Sequence, residues 1–351
     1  MNEKTFIILT PGFPATEADT VCLPMQQSFV KTVKQLFPEI EIIVLSFQYP
    51  YHQKKYEWFD IEVIPYGGRN KGGFAKLLLR RKINATLDDL CRTKNIIGLF
   101  SLWYNECAWI AKKFADKKNL KHYCWILGQD ATKENKYPQQ LVPQSNELIA
   151  LSDFLQKEFE KNHGVRPEFI VPPGIDASIF KNEPTEKDID LLAVGSLIPL
   201  KQYEIFIETV AEIKKQVPYV KAFLIGKGPD KEKLQSLINK FKIQENIKLT
   251  GELPFNEVIR FMQRTKVFLH PSSYEGFGCV CTEALCAKAH VISFCKPMNE
   301  DIPHWLIVNN KEDMINEALK IMTGKQTEYK SITPYSMNDT VRTIMKLFVE
   351  D

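Results

Sequence analysis

Two carboxylates eight positions apart, Glu275 and Glu283, flank a Gly276-Phe277-Gly278 turn in this chain of 351 residues. The apolar run Val267–Leu269 precedes the turn and reads as a short buried strand. After it, Cys281, Ala284 and Leu285 recur at i, i+3 and i+4, the spacing of one helix face. The expected order is strand, glycine turn, helix. Backbone N–H groups at a helix start have no intrahelical acceptor and attract phosphate. Gly276 and Gly278 let a ligand approach without a Cβ in the way. Carboxylates beside an anion site can accept hydrogen bonds from sugar hydroxyls. Together these residues describe a pocket for a sugar nucleotide. Two glutamates at this spacing, taken alone, describe a capped helix with a solvated face equally well, so the surrounding residues decide.

Other positions carry related chemistry. Lys201 follows the strand-like run Leu191–Val194 and the strand-end Gly195, close enough to reach a diphosphate as a point charge. Gly226-Lys-Gly228 ends the run Ala222–Ile225, although a lone Gly-x-Gly is weak evidence. Asp130 ends Trp125-Ile-Leu-Gly-Gln-Asp130 and suits either an acceptor base or a helix cap. Gly12 lies in the first loop, Thr10–Thr20. Six basic residues and no acid lie between Arg69 and Lys82, and Phe74, Leu77, Leu78 and Leu79 share the segment. With Lys76, Arg80, Arg81 and Lys82, this segment fits a helix resting on an anionic membrane surface, or a solvated helix over the core.

The elements that must hold these residues follow from alternation. Apolar runs at Phe6–Leu9, Ile40–Leu45, Ile96–Phe100, Tyr123–Ile126, Leu148–Leu151 and Phe169–Val171 alternate with amphipathic segments at Leu23–Phe37, Phe74–Leu90, Cys107–Phe114 and Phe154–Lys161. Val171-Pro-Pro-Gly174 interrupts the pattern. It restarts at Leu191–Val194, Ala222–Ile225, Ile247–Leu249, Val267–Leu269 and Val291–Phe294, with helical patterns at Tyr203–Gln216 and Lys231–Phe241. Met337–Val349 reads as a last amphipathic helix. Repeated βα units argue for an α/β fold with parallel sheets, whose ligands sit beyond the strand carboxyl ends.

An apolar content of 44% and a charged content of 25% are ordinary for a globular chain. A net charge of +3 gives no case for nucleic acid. No apolar run reaches the ~18 residues of a membrane span. The start of the chain lacks a signal-peptide pattern, and the eight scattered cysteines fit no usual zinc spacing. A cytoplasmic location is expected.

Pro271-Ser272, Glu275-Gly-Phe-Gly278 and Glu283-Ala-Leu285 together resemble the signature of the retaining GT-B glycosyltransferases of family 4, the glycosyltransferase group 1 family. Phe223-Leu-Ile-Gly-Lys-Gly-Pro229 resembles that family's turn beside the nucleotide, and Thr250–Pro254 the segment bordering the base. The resemblance implies two Rossmann-like domains facing an interdomain cleft. An acceptor-side domain would span 1–172 and a nucleotide-sugar domain 173–335, with helix 336–351 packing back on the first.

The resemblance also implies transfer of a sugar from a UDP- or GDP-sugar to a glycan or lipid-linked acceptor, with retention at the anomeric carbon. Surface polysaccharide or glycolipid assembly, at the inner face of the cytoplasmic membrane, would be its setting. Catalytic positions would be Glu275, Lys201 and Asp130. Donor-binding positions would be Gly12, Ser196, Lys201, Gly226, Gly228, Glu275, Gly276, Phe277, Gly278, Cys279, Val280 and Glu283. In this scheme Lys201 and the turn amides grip the departing diphosphate, Glu275 the donor sugar and Glu283 the ribose. No Asp-x-Asp metal pair is read in the sequence, so a metal-independent, cofactor-free enzyme is expected.

The chain departs from the family at four places, one being the first loop, which has Gly12 but not the usual Gly-Gly pair. Ser196 stands where an arginine is usual, Leu127 where a histidine is, and Lys288 and His290 where Gly and Pro are. Three other readings stay open: a sugar-nucleotide epimerase of the same fold, a non-catalytic sugar-nucleotide binder, and a nicotinamide-dependent oxidoreductase. The last is disfavoured because the first turn lacks G-x-G-x-x-G.

Overall fold

Short, near-continuous apolar runs form strands buried on both faces, and the amphipathic segments between them form covering helices. The computed structural model describes residues 4–180, 185–324 and 328–350. The chain divides into two compact units, one made of the residues up to Gly174 with those from Tyr335 on, the other of Ile175–Pro334.

The first unit runs β1 (Lys4–Gly12), α1 (Pro24–Leu36), β2 (Ile40–Tyr49), β3 (Tyr56–Trp58), β4 (Ile61–Pro65), α2 (Gly73–Thr93), β5 (Asn95–Leu102), α3 (Glu106–Lys118), β6 (His122–Ile126), α4 (Tyr137–Gln140), β7 (Leu148–Ala150), α5 (Asp153–His163) and β8 (Phe169–Ile170). Its sheet order is β3-β4-β2-β1-β5-β6-β7-β8. Every neighbouring pair is parallel except the β3–β4 hairpin. Phe6, Ile7, Ile8 and Leu9 of β1 are all fully buried at its centre.

The second unit runs β9 (Ile189–Val194), α6 (Tyr203–Lys214), β10 (Ala222–Ile225), α7 (Lys231–Phe241), β11 (Ile247–Gly251), α8 (Phe255–Gln263), β12 (Thr265–His270), α9 (Cys279–Cys286), β13 (His290–Ser293), β14 (Trp305–Ile307) and α10 (Lys311–Thr323). Its strands pair in parallel in the order β11-β10-β9-β12-β13-β14. Leu191, Leu224, Val267 and Ile292 meet Phe206, Val210 and Met314 in its core. Both units are Rossmann-like, and the fold class is α/β. The expected runs omit β3, β4, β14 and α4, which are three to five residues long, and also α8 and α10, whose amphipathic patterns were legible.

The last helix, α11 (Met337–Val349), belongs to the first unit. Phe348 packs edge-on against Phe6 at 4.8 Å and Tyr123 at 5.0 Å between ring centres. A Cβ at Gly98 would come within 2.5 Å of the Phe348 ring, so the helix seats on a strand position that has no side chain. Thr340 Oγ1 donates to the Pro172 carbonyl at 2.8 Å.

Helix α9 ends unusually. The Lys288 amide donates to the Leu285 carbonyl and the Ala289 amide to the Ala284 carbonyl, a Schellman closure. That closure holds Lys288 at φ 66°, in the left-handed region where glycine is preferred. Replacing Lys288 by Gly is therefore predicted to stabilise the chain by about 1 kcal/mol, read as a raised midpoint in urea unfolding. A lowered midpoint would overturn this reading of the turn.

Candidate active site

The second sheet's order runs outward in both directions from β9, through β10 on one side and β12 on the other. The region beyond the carboxyl ends of these central strands is where sheets of this order have their ligand crevice. Backbone contacts weld the loops together. Gly195 N donates to Ile225 O at 3.0 Å, Leu197 N to Lys227 O at 2.9 Å and Asp230 N to Leu197 O at 3.0 Å. A Cβ on Gly226 would overlap the Gly195 carbonyl, and one on Gly228 the Leu197 carbonyl. These two glycines exist for backbone approach between loops, which is a structural duty beside any ligand contact. On the other side, Ser273 N and Ser272 Oγ donate to the Leu200 carbonyl at 3.0 and 3.2 Å. Lys201, at the end of the β9 loop, is thereby placed against Glu275.

Lys201 Nζ makes an ion pair with Glu275 Oε2, and His270 Nε2 lies 3.0 Å from the same oxygen. The Lys201 and Glu275 side chains are only 17% and 22% exposed. A carboxylate can only accept, so Nε2 of His270 carries the proton. Burial lowers the affinity of His270 for a second proton, and the ring stays neutral. Burial alone would raise the Glu275 carboxyl, but the His270 hydrogen bond and the Lys201 charge hold it down at about 2. Glu275 is a fixed anion at neutral pH.

Gly278 precedes α9 at φ 86°, and no side chain caps the helix. Helix α9 begins four residues after Glu275, and a Cβ on Gly278 would lie 3.4 Å from Glu275 Cγ, so the first amides of α9, at Cys279 and Val280, lie close to the Lys201–Glu275 pair. Phe277 turns inward, 2% exposed, edge-on to Trp305. The Cys279 thiol is pushed well up by burial and is no nucleophile at neutral pH. Glu283 is half-buried on α9; its backbone carbonyl accepts from Ala287 N, and its carboxyl has no hydrogen bond or ion pair with any described residue. Burial pushes its carboxyl up to about 8. Two glutamates eight residues apart thus stand in opposite protonation states: Glu275 accepts only, whereas Glu283 can also donate. Ser196 is exposed and supplies no cation.

The remaining expected residues lie in the first unit. Gly12 ends β1. Asp130 is 5% exposed, and its carboxylate accepts from Tyr104 N at 2.8 Å, Gly128 N at 2.7 Å and Leu127 N at 3.1 Å. It clasps the loops after β5 and β6, and a base role would require it to surrender those partners. In the basic segment Arg81 and Lys82 are exposed beside Phe74. Lys76 instead donates to Tyr137 Oη at 2.8 Å and Arg80 Nε to Glu106 at 2.7 Å.

Two corrections follow. His270 was given no role, although a histidine ending a buried strand five residues before Glu275 was the available signal. The Asp-x-Asp spacing does occur, at Asp188-Ile189-Asp190. It lies at the amino end of β9, away from the crevice, and both carboxylates are taken. Asp188 accepts from Arg264 at 2.7 and 2.5 Å and from Lys221 at 2.7 Å, and Asp190 from Lys266 at 2.8 Å. Among the described residues no three His, Cys, Asp or Glu side chains gather as a metal set, and no helix is long and apolar enough to cross a membrane.

Residues 174–336 match the family model of the glycosyl transferases group 1. An uncharacterized glycosyltransferase of Methanocaldococcus jannaschii is 23% identical over 313 residues, 86% of this chain and 84% of that one. The gpi3 subunit of phosphatidylinositol N-acetylglucosaminyltransferase from Schizosaccharomyces pombe is 28% identical over 127 residues, 35% of this chain and 28% of its own length. Among solved structures, Anabaena HepE in complex with UDP-glucose superposes with a TM-score of 0.70 at 16% identity, over 98% of this chain and 95% of that one. The pneumococcal O-GlcNAc transferase GtfA in complex with UDP and GlcNAc gives 0.66 at 12% identity, over 99% of each chain. The fold is GT-B, and the family match supports glycosyl transfer as the activity.

Glu283 gives the site a pH signature. A carboxyl held at about 8 in the folded chain, against about 4.5 when unfolded, keeps its proton only in the folded state between those values. The Glu283 contribution to stability therefore falls as pH rises from about 4.5 to about 8. Glu283→Gln removes that slope. The variant should match wild type near pH 5 and melt a few degrees higher above pH 8. Melting curves that stay parallel across the range would show that Glu283 is not held protonated.

Proposed function

We propose that the chain is a retaining, metal-independent glycosyltransferase of family 4. It takes a UDP-sugar in the second unit and passes the sugar to a hydroxyl of a carbohydrate or lipid-linked acceptor. The observation that carries this is the Lys201–Glu275–His270 group beside the open start of α9, inside the residues that match the family model.

In this reading the donor diphosphate takes the Lys201 ammonium and the α9 amides. Negative charge grows on the leaving phosphate as the anomeric bond breaks. Fixed positive groups therefore hold the transition state more strongly than the ground state. Glu275, anionic throughout, accepts from donor-sugar hydroxyls and orients the ring, and His270 fixes the carboxylate. Glu283, protonated at neutral pH, pairs with the ribose hydroxyls. The positive charge of Lys201 and the helix start supplies the electrostatic help that a metal gives elsewhere. The acceptor hydroxyl approaches the face from which the diphosphate leaves.

UDP is preferred because the HepE and GtfA structures hold UDP with a sugar. A lipid-linked acceptor is favoured by the phosphatidylinositol-modifying relative and by α2. On that helix Phe74, Leu77 and Leu78 are 71%, 46% and 41% exposed beside Arg81 and Lys82, a pattern suited to the cytoplasmic face of an anionic membrane. Surface polysaccharide or glycolipid assembly is the corresponding setting.

The test is nucleotide release from UDP- and GDP-sugars with and without glycan or lipid-linked acceptors. Lys201→Ala should lower kcat by about 10²-fold or more. Glu275→Gln should lower kcat while leaving UDP affinity within a few-fold. Turnover at the wild-type rate in both variants would sink the site assignment. A new sugar nucleotide formed from donor alone would mark an epimerase instead.

A further inference from the structure

A cavity of about 240 Å³ lies wholly within the first unit, beyond the carboxyl ends of β1 and β2 and against the starts of α2 and α3. The first sheet's order runs outward both ways from β1, through β2 and through β5, so this is that sheet's own switch point. Several of the polar groups around it are left as donors. Gln48 Oε1 is taken by the Asn70 amide at 2.8 Å, which leaves the side-chain NH₂ to donate. Tyr137 Oη accepts from Lys76 Nζ at 2.8 Å, so its own proton is free to donate. Asn105 Oδ1 is already used on the Cys107 amide. Lys71 is exposed and has no acidic partner among the described residues.

One acid lines the cavity, Glu106, and it is spoken for. Arg80 Nε donates to it at 2.7 Å and stacks over Trp109 at 4.1 Å, while Lys76 stands 3.8 Å away. Lys71, Lys76 and Arg80 against Glu106 leave an excess of two positive charges. Helix α2 starts there without a side-chain cap or an acid in its first turn. A Cβ at Gly72 or Gly73 would meet nothing within 4 Å, so that backbone is open.

We infer that this cavity binds a phosphate-bearing ligand, with Lys71, Lys76, Gln48 and Tyr137 as its donors. A surface offering almost only donors and surplus charge selects an anion with several acceptor oxygens. The volume falls below the ~300–1,000 Å³ of drug-sized sites, so it admits a phosphoryl group with a small polyol and not a whole glycolipid. If the glycosyl-transfer reading holds, the inference deepens it, because the acceptor is then a phosphate-bearing alcohol.

The experiment uses the full chain and calorimetric titration with glycerol 3-phosphate and inorganic phosphate, and separately with UDP. The Lys71→Met/Lys76→Met variant should bind glycerol 3-phosphate about 10-fold or more weakly and UDP as wild type does. Lys201→Ala should show the opposite. The Lys71→Arg/Lys76→Arg variant should keep most of the affinity, which separates lost charge from lost folding. Glycerol 3-phosphate binding that survives Lys71→Met/Lys76→Met, or that vanishes in Lys201→Ala, would overturn the inference while leaving the donor site standing. Flotation with phosphatidylcholine vesicles, with and without phosphatidic acid, identifies the source. Capture by phosphatidic acid that is lost in Lys71→Met/Lys76→Met marks a lipid phosphate. Retained glycerol 3-phosphate binding without capture marks a soluble one.

Discussion

The Glu275 carboxylate accepts from two places at once, the Lys201 ammonium at the end of the β9 loop and the His270 imidazole at the end of β12. Those strands are neighbours at the switch point of the second sheet. One oxygen thus joins the two sides of the crevice. Its partners also keep it ionised where burial would protonate it. The α9 start lies four residues beyond Glu275, close to that junction. The junction is rigid because the β9 loop is itself stitched to β10 through Gly226 and Gly228.

The same sheet logic gives the two units different chemistry. In the second unit the switch point holds a fixed cation, a fixed anion and a protonated carboxyl, a mixed set suited to a phosphate joined to a polyol. In the first unit it holds donors and excess positive charge around a neutralised Glu106. Asp130, which sequence spacing offered as a base, is consumed by three backbone amides. Its clasp includes the Leu127 amide, so that position contributes backbone even though the side chain departs from the family pattern.

Much of the architecture was legible because strands buried on both faces must be apolar throughout, and helices covering them must be apolar on one side. Val267–Leu269, Ala222–Ile225 and Lys231–Phe241 fall within or coincide with observed elements for that reason. Tyr56–Trp58 and Trp305–Ile307 were not legible. Three residues at a sheet edge carry too little periodicity, and their pairing depends on partners elsewhere in the chain. At the site, the Glu275–Gly278 turn was legible from residue type and spacing, whereas Lys201 stood out only through the family resemblance. His270 was not legible, because its significance is a distance of 3.0 Å to a carboxylate and not a spacing.

The sequence by itself determined the two βα series, the break near Pro172–Gly174, the glycine turn before α9 and the presence of a glutamate on either side of it. These are local properties, written in residue type and period. Only the tertiary structure decided that Glu275 is held near 2 and Glu283 near 8. It alone decided that Asp188 and Asp190 are ion-paired at the far end of their strand, and that Lys76 serves a cavity and not an outward face. Protonation, pairing and direction depend on which distant groups come within a few ångströms and how much water remains between them. Neither is a function of position along the chain.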